Sequence, residues 1–270
     1  MTLQSFISIT LFGKRHFYKE QIVTKLFIVI LLNFCDSKVK NKRLMGSTDA
    51  SINDHRYLLS LQGEHHYCGA CILTESKGLT AAHCTEGRDP NILSVRAGSN
   101  HTEDGGELIQ VSDVKPHPNF DLNTLAYDIA ILILVTPITI GVRVNLPPVN
   151  QVVPEGATAV VAGWGAAKPN AGEPNAVHLQ KIEINRITDE KCNSSYYGFF
   201  ASSMFCFAAP NKGLCWGDHG SPLVHAGNQV GIVSWGYGCA RPAYPGVYTK
   251  IANCEINSYI VQQINEENYY

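Results

Sequence analysis

The sequence predicts an all-β protein of mainly antiparallel strands, gathered into two barrels and closed by a C-terminal helix. Three observations lead there. Beyond residue 43 the apolar residues fall in short runs, Gly, Asn and Pro separate those runs, and helical spacing is confined to the chain's end. With 270 residues, 45% of them apolar, the chain can bury a large core as one big or two modest units.

The elements follow in chain order. Lys25 precedes the run "LFIVILLNF", too short to span a bilayer but suited to a signal-peptide core. Cys35 and Ser37 are the small residues that precede a cut at three- and one-residue offsets. Residues 1–37 are therefore expected to be a leader, 38–43 a short propeptide and 44–270 the mature domain. Strands are expected at "YLLSLQ" (57–62), "LSVRAG" (93–98), "DIAILILV" (128–135), "ATAVVAGWG" (157–165) and "LQKIEINRI" (179–187). "SPLVHAGNQVGIVSWG" adds a hairpin turning at Ala226-Gly227-Asn228. In the tail, "CEINSYIVQQINEE", Ile256, Tyr259, Ile260 and Ile264 share one helical face. The Pro- and Gly-bearing section 145–156 reads as the crossing between halves. There is no low-complexity tract and no internal repeat.

Charge and cysteines narrow the class. The net charge is −2, but residues 1–43 hold eight of the 21 Lys/Arg and two of the 23 Asp/Glu, leaving the remainder at −8. So acidic a mature chain argues against nucleic acid and anionic membranes as partners. Of nine cysteines, Cys35 would leave with the leader, and an even count in an exported chain suggests disulfides. N-x-S/T triplets at Asn100 and Asn193 are candidate glycosylation sites that fit a secreted, extracellular protein.

Three segments carry chemistry. "LTAAHC" sets His83 just after an apolar strand, and "AYDIAILIL" sets Asp128 at the mouth of another, where an ionised carboxylate needs a partner. "CWGDHGSPL" is a glycine-rich loop near the chain's end. This order, with "HYCGACILTESKGLTAAHC", "VAGWG", "MFC" and "GIVSWGYGCARPAYPGVYTKI", resembles the trypsin-like serine proteases across essentially all of 44–265. The tail wording, "GNQVGIVSWGYGCAR", resembles the mite digestive trypsins known as group 3 allergens. The resemblance implies two six-stranded antiparallel Greek-key barrels with the site between them.

It also implies roles. His83 would be the general base and Asp128 the acid that orients it, while the nucleophile's place falls on His219. An imidazole there lacks the hydroxyl that forms an acyl-ester. Ser221, the nearest hydroxyl, lies two residues on, at a position the family fills with glycine, and a displacement of about 1 Å can cost around a hundredfold. The oxyanion hole would use the N–H groups of Gly217 and His219. Two imidazoles, His83 and His219, are too few for a designed metal site, so no metal and no cofactor are expected. The floor of the specificity pocket falls on Gly213, followed by Leu214, so no carboxylate is left for a basic side chain. Gly236 and Gly246 match its open walls. Trp216 stands at its rim, and together with Leu214 it is expected to narrow or cap the pocket.

Arg43, before "LMGSTDA", resembles the activation cut. Cleavage would free the amine of Leu44 to pair with Asp218, and His66 matches the partner of that aspartate in uncut precursors. The implied disulfides are Cys68–Cys84, Cys192–Cys206 and Cys215–Cys239. Cys71 and Cys254 either pair with each other or stay buried and reduced. The family's calcium loop falls near 99–109 and holds Glu103, Asp104 and Glu107, but Ser99 stands where its first acidic ligand is expected, which argues against calcium. The resulting expectation is a secreted monomeric homologue that has lost peptidase activity and acts by binding proteins. Its resemblance to the inactivated serine-protease paralogues of parasitic mites implies host defence proteases such as complement as targets. The alternative is an active trypsin-like serine endopeptidase with an atypical nucleophile or altered specificity.

Overall fold

The computed structural model describes residues 46–166, 176, 178–198, 200–210 and 212–266. The leader, the propeptide and the Arg43–Leu44 bond lie outside them.

Strands β2 (Leu58–Gln62), β3 (His66–Thr74), β4 (Lys77–Thr80), β5 (Ser94–Ala97), β6 (Glu107–Pro116) and β7 (Ala130–Leu134) close one antiparallel barrel in the order β2-β3-β4-β7-β6-β5. After the irregular crossing at 145–156, β8 (Thr158–Gly163), β9 (Gln180–Arg186), β10 (Met204–Ala208), β11 (Pro222–His225), β12 (Asn228–Trp235) and β13 (Gly246–Lys250) close a second. Its order, β8-β9-β10-β13-β12-β11, repeats the first, and a short β1 (Thr48–Asp49) pairs outside it with β9. Closure leaves no strand edge among these twelve to pair with another chain.

Leu59, Leu61, Val95, Val111, Leu79 and Ile131 fill the first barrel. In the second, Phe205, Phe207 and Tyr248 meet edge to face among Val161, Ile182 and Leu223. Among the described residues, two α-helices accompany the barrels. Helix α1 (Asp189–Ser195) is capped by Thr188, whose hydroxyl accepts from Lys191 N–H. Helix α2 (Cys254–Asn265) begins at Asn253, whose side chain accepts from Glu255 and Ile256 N–H. It follows the last strand of the second barrel, yet Ile256, Tyr259 and Ile260 bury into the core of the first. Tyr259 also donates to Lys115 C=O at 2.6 Å. One amphipathic helix thereby clamps the two barrels together.

Three details differ from the sequence expectation. The hairpin turn is Ala226-Gly227 alone, both at positive φ, because a two-residue turn of that twist matches the flanking strands; Asn228 already belongs to β12. Helix α1 was not anticipated, although Thr188 followed by Asp189 and Glu190 is a start signal. Cys71 and Cys254 stay reduced rather than pair, but only Cys71 is buried as that alternative expects. Cys71 is buried, its Sγ 3.0 Å from Gln229 Oε1 and its thiol pushed up to about 12 by burial, while Cys254 is exposed. The three disulfides are Cys68–Cys84, Cys192–Cys206 and Cys215–Cys239. No helix among the described residues is long and apolar enough to cross a membrane.

The loop at 99–109 already contains a cation. Arg96 on β5 donates through Nε to Thr102 C=O (2.9 Å), through Nη1 to Gly105 C=O (2.6 Å) and through Nη2 to Glu103 C=O (3.1 Å). Glu107 is turned away to the N–H and hydroxyl of Thr139. A guanidinium thus takes the carbonyls that a calcium ion would need. Adding calcium or EDTA should leave the melting temperature unchanged, whereas Arg96→Ala should lower stability by about 1–3 kcal/mol. A calcium-dependent rise in the melting temperature of the unmutated protein would contradict this.

Candidate active site

The first barrel supplies a base and its orienting acid. After β4, residues Ala82–Cys84 form a single 3₁₀ turn that carries His83, anchored by the Cys68–Cys84 bridge. Asp128 precedes β7 and is fully buried, 0% exposed. It follows Tyr127, whose backbone takes the left-handed conformation at φ 54°. An ionised carboxylate at that depth must be satisfied on every side. Asp128 Oδ1 accepts from His83 N–H at 2.9 Å, and Oδ2 accepts from His83 Nδ1 at 2.7 Å and from the Ser234 hydroxyl. Its carbonyl accepts from Thr249 Oγ1 at 2.8 Å. Ser234 and Thr249 stand on β12 and β13, so the second barrel completes the aspartate's shell. Neither had been singled out in the sequence, since only folding brings them near Asp128.

The second barrel supplies the loop that carries His219. The Cys215–Cys239 bridge holds the loop's start, and Gly217 adopts φ 92°, a conformation that other residues rarely accept. Gly69 N–H donates to His219 C=O at 2.7 Å, stitching the loop to the first barrel. His66, buried and bonded to Ser60 Oγ, donates through Nε2 to Gly217 C=O at 3.0 Å. The N–H groups of Gly217 and His219 have no hydrogen-bond acceptor among the described residues.

His219 Nδ1 lies 3.0 Å from His83 Nε2. The carboxylate fixes the protons along this line. Asp128 can only accept, so His83 carries its proton on Nδ1 and offers a lone pair at Nε2. His219 must therefore donate from Nδ1, which leaves its own Nε2 as a free lone pair. That atom has no partner among the described residues and is not sealed from solvent. Burial lowers the pKa of His219 to about 4; His83 pushes the same way and Asp128 opposes. The carboxylate and the two imidazoles form a single hydrogen-bonded row, in which His219 is uncharged at neutral pH. With the His83 and His219 nitrogens facing each other across that bond, they do not converge on a common metal. The cluster His83, Cys68 and Cys84 offers no thiolate, because both sulfurs are bridged.

Ser221 is turned away from this row. It is 1% exposed and its hydroxyl has no hydrogen-bond partner. The oxygen sits against Gly69, where an added Cβ would fall 2.0 Å from it, so Gly69 must be glycine to admit it. Asp218 is buried beside it, accepting from Gly165 N–H and Cys215 N–H. Burial raises its pKa to about 7, the two N–H donors opposing.

Next to His219 opens a cavity of about 480 Å³ lined by Gly213, Leu214, Trp216, Gly236, Gly246 and Tyr248 among others. Of the two residues expected to narrow or cap it, Leu214 lines the cavity with its Cδ1 close to Gly246, and Trp216, 57% exposed, lines it as well. Among the described residues no Asp or Glu lines the cavity, while Lys191, Lys212 and Arg241 do. These cations come from three separate segments, which hid them from sequence reading. Asn100 and Asn193 lie elsewhere. Asn100 is half-buried and accepts from Ile52 N–H at 2.7 Å, whereas Asn193 is exposed on α1.

Two predictions follow from these burials. Removing an unpaired buried hydroxyl without changing shape should help, so Ser221→Ala should stabilise by about 1 kcal/mol, seen as a melting temperature higher by about 2–4 °C; a lower one would show that the hydroxyl is satisfied. The second concerns acid. His66, lowered to about 4 by burial, and His219 refuse protons that the unfolded chain binds below its value of 6.5, so their contribution is lost as pH falls from 6.5 toward 4. Asp218 has the opposite sign, since its contribution is complete below 3.8 and lost as pH rises toward 7. Asp218→Asn should therefore steepen the loss of stability on acidification. Urea midpoints across that window check this, and parallel slopes for the two proteins would contradict it.

Comparison with known proteins agrees with the two barrels and the histidine–aspartate pair between them. Residues 44–258 match the Trypsin family. Hypodermin-B of Hypoderma lineatum is 38% identical over 215 residues, 78% of this chain and 84% of that protein. Trypsin beta of Drosophila erecta is 36% identical over 224 residues, 81% of this chain and 87% of its own. Trypsin alpha of Drosophila melanogaster is 36% identical over 228 residues, 83% and 88%. Fold, site and likeness coincide over the same residues, and the chain belongs to the trypsin family of S1 serine proteases and their homologues.

Proposed function

We propose that this chain is a secreted member of the trypsin family without peptidase activity, acting by binding proteins. The observation that carries the reading is the 3.0 Å bond from His83 Nε2 to an imidazole, His219, where the resemblance places a hydroxyl. The nearest hydroxyl, on Ser221, is buried and faces Gly69. An imidazole that attacks an amide forms an adduct in which it is itself the better leaving group, so the adduct collapses backwards. The leader at 1–37 and the cut at Arg43 belong to the same reading, with Leu44 freed to pair with Asp218. Partner identity rests on resemblance to the inactivated paralogues of parasitic mites, which points to host defence proteases such as complement and is analogy at the level of the fold.

A second reading, an active endopeptidase, is favoured by the intact Asp128–His83 pair, the unpaired N–H groups of Gly217 and His219, and relatives that carry the name trypsin. Purified protein cut at Arg43 separates the two. Peptide amides should not turn over above background, because losing a triad member can cost about 10⁶ in rate. Turnover with a stable phosphonofluoridate adduct on Ser221 would establish the second reading. His219→Ser should not create cleavage after Lys or Arg, given a pocket lined, among the described residues, by three cations and no carboxylate; efficient cleavage there would show that the pocket's charge is misjudged.

A further inference from the structure

We infer that His219 is itself a nucleophile for activated esters, so that the protein hydrolyses aryl esters of apolar acids through an acyl-imidazole while leaving amides intact. This goes beyond the loss of peptidase activity and rests on the same placement of His219. Nucleophilic imidazole chemistry needs a free lone pair on one nitrogen, a way to remove the proton from the other, and a place for the acyl group. His219 has all three. Its Nε2 has no protein partner among the described residues and is not sealed from solvent, Nδ1 lies 3.0 Å from the lone pair of His83, and the ring borders the 480 Å³ cavity. At neutral pH the ring is uncharged, so the lone pair is not masked by a proton.

The steps balance as follows. His219 Nε2 attacks the ester carbonyl carbon while the Nδ1 proton passes to His83 Nε2, whose positive charge then lies against Asp128. The carbonyl re-forms and the bond to the aryl oxygen breaks, the aryl oxide leaving as the anion. A neutral acyl-imidazole, an aryl oxide and a protonated His83 result. Water from solvent then adds its oxygen to the acyl carbon and loses one proton to solvent, which balances the aryl oxide. The carbon–nitrogen bond breaks as His83 hands its proton back to His219 Nδ1, releasing the carboxylic acid. An aryl oxide leaves more readily than imidazole, whereas an amine does not, which confines the reaction to activated esters. The apolar walls and the cations Lys191, Lys212 and Arg241 select an apolar acyl group over a basic one.

The test uses the p-nitrophenyl esters of N-acetylphenylalanine and of N-acetyllysine. Nitrophenol release from the phenylalanine ester should exceed that from the lysine ester by about tenfold or more. It should fall about 100-fold in His83→Ala and reach the buffer rate in His219→Ala. Rapid acid quenching of the unmutated protein should trap a single acyl group on the peptide bearing His219, a readout that does not depend on either variant folding. Release unchanged in His219→Ala, or an acyl group mapped to another residue, would overturn the inference. Turnover of the matching phenylalanine amide would instead overturn the loss of peptidase activity, so the two failures are told apart.

Discussion

Asp128 is a negative charge sealed between two barrels, and the arrangement around it follows from keeping that charge satisfied. Each barrel contributes to its shell: His83 from the first through two N–H donors and Ser234 from the second through its hydroxyl, while Thr249 bonds the aspartate's backbone carbonyl. Withdrawing any one donor from a charge at this depth costs several kcal/mol, so the pairing holds the barrels in register as much as it orients an imidazole. Fixing the His83 proton on Nδ1 fixes the lone pair on Nε2, and that in turn dictates which nitrogen His219 presents. The protonation pattern of the whole row descends from one buried carboxylate.

The loop opposite is held with equal care. His66 grips the carbonyl of Gly217, Gly69 grips the carbonyl of His219, and a disulfide fixes Cys215. Two departures from the resemblance sit within this scaffold, His219 and Ser221. Ser221 shows how local the accommodation is: its extra hydroxyl fits because the strand across from it offers a glycine.

Much of the fold could be read from the chain. Strands such as β2, β5, β8 and β9 announce themselves by apolar runs ended by turn residues, and α2 by its single buried stripe. Strand β6 was harder, since most of Glu107–Pro116 is exposed or half-exposed and only Ile109 and Val111 point firmly inward. The repeated strand order of the two barrels leaves no internal repeat in the sequence, because the pairing is made by backbone groups that any residue carries. In the site, His83, Asp128 and His219 were visible through their flanks. The direction of the Ser221 hydroxyl, the cations around the cavity and the arginine in the 99–109 loop were not. Each depends on a distance between segments far apart in the chain.

Everything chemical in this account depends on the direction of one proton. Nitrogen-15 spectroscopy of histidine-labelled protein at neutral pH reads it directly, through the shifts of the two ring nitrogens of His219 and a coupling across the bond to His83. The account predicts a neutral His219 protonated on Nδ1, with that proton shared toward His83 Nε2. A His219 protonated on Nε2, or on both nitrogens, would contradict it.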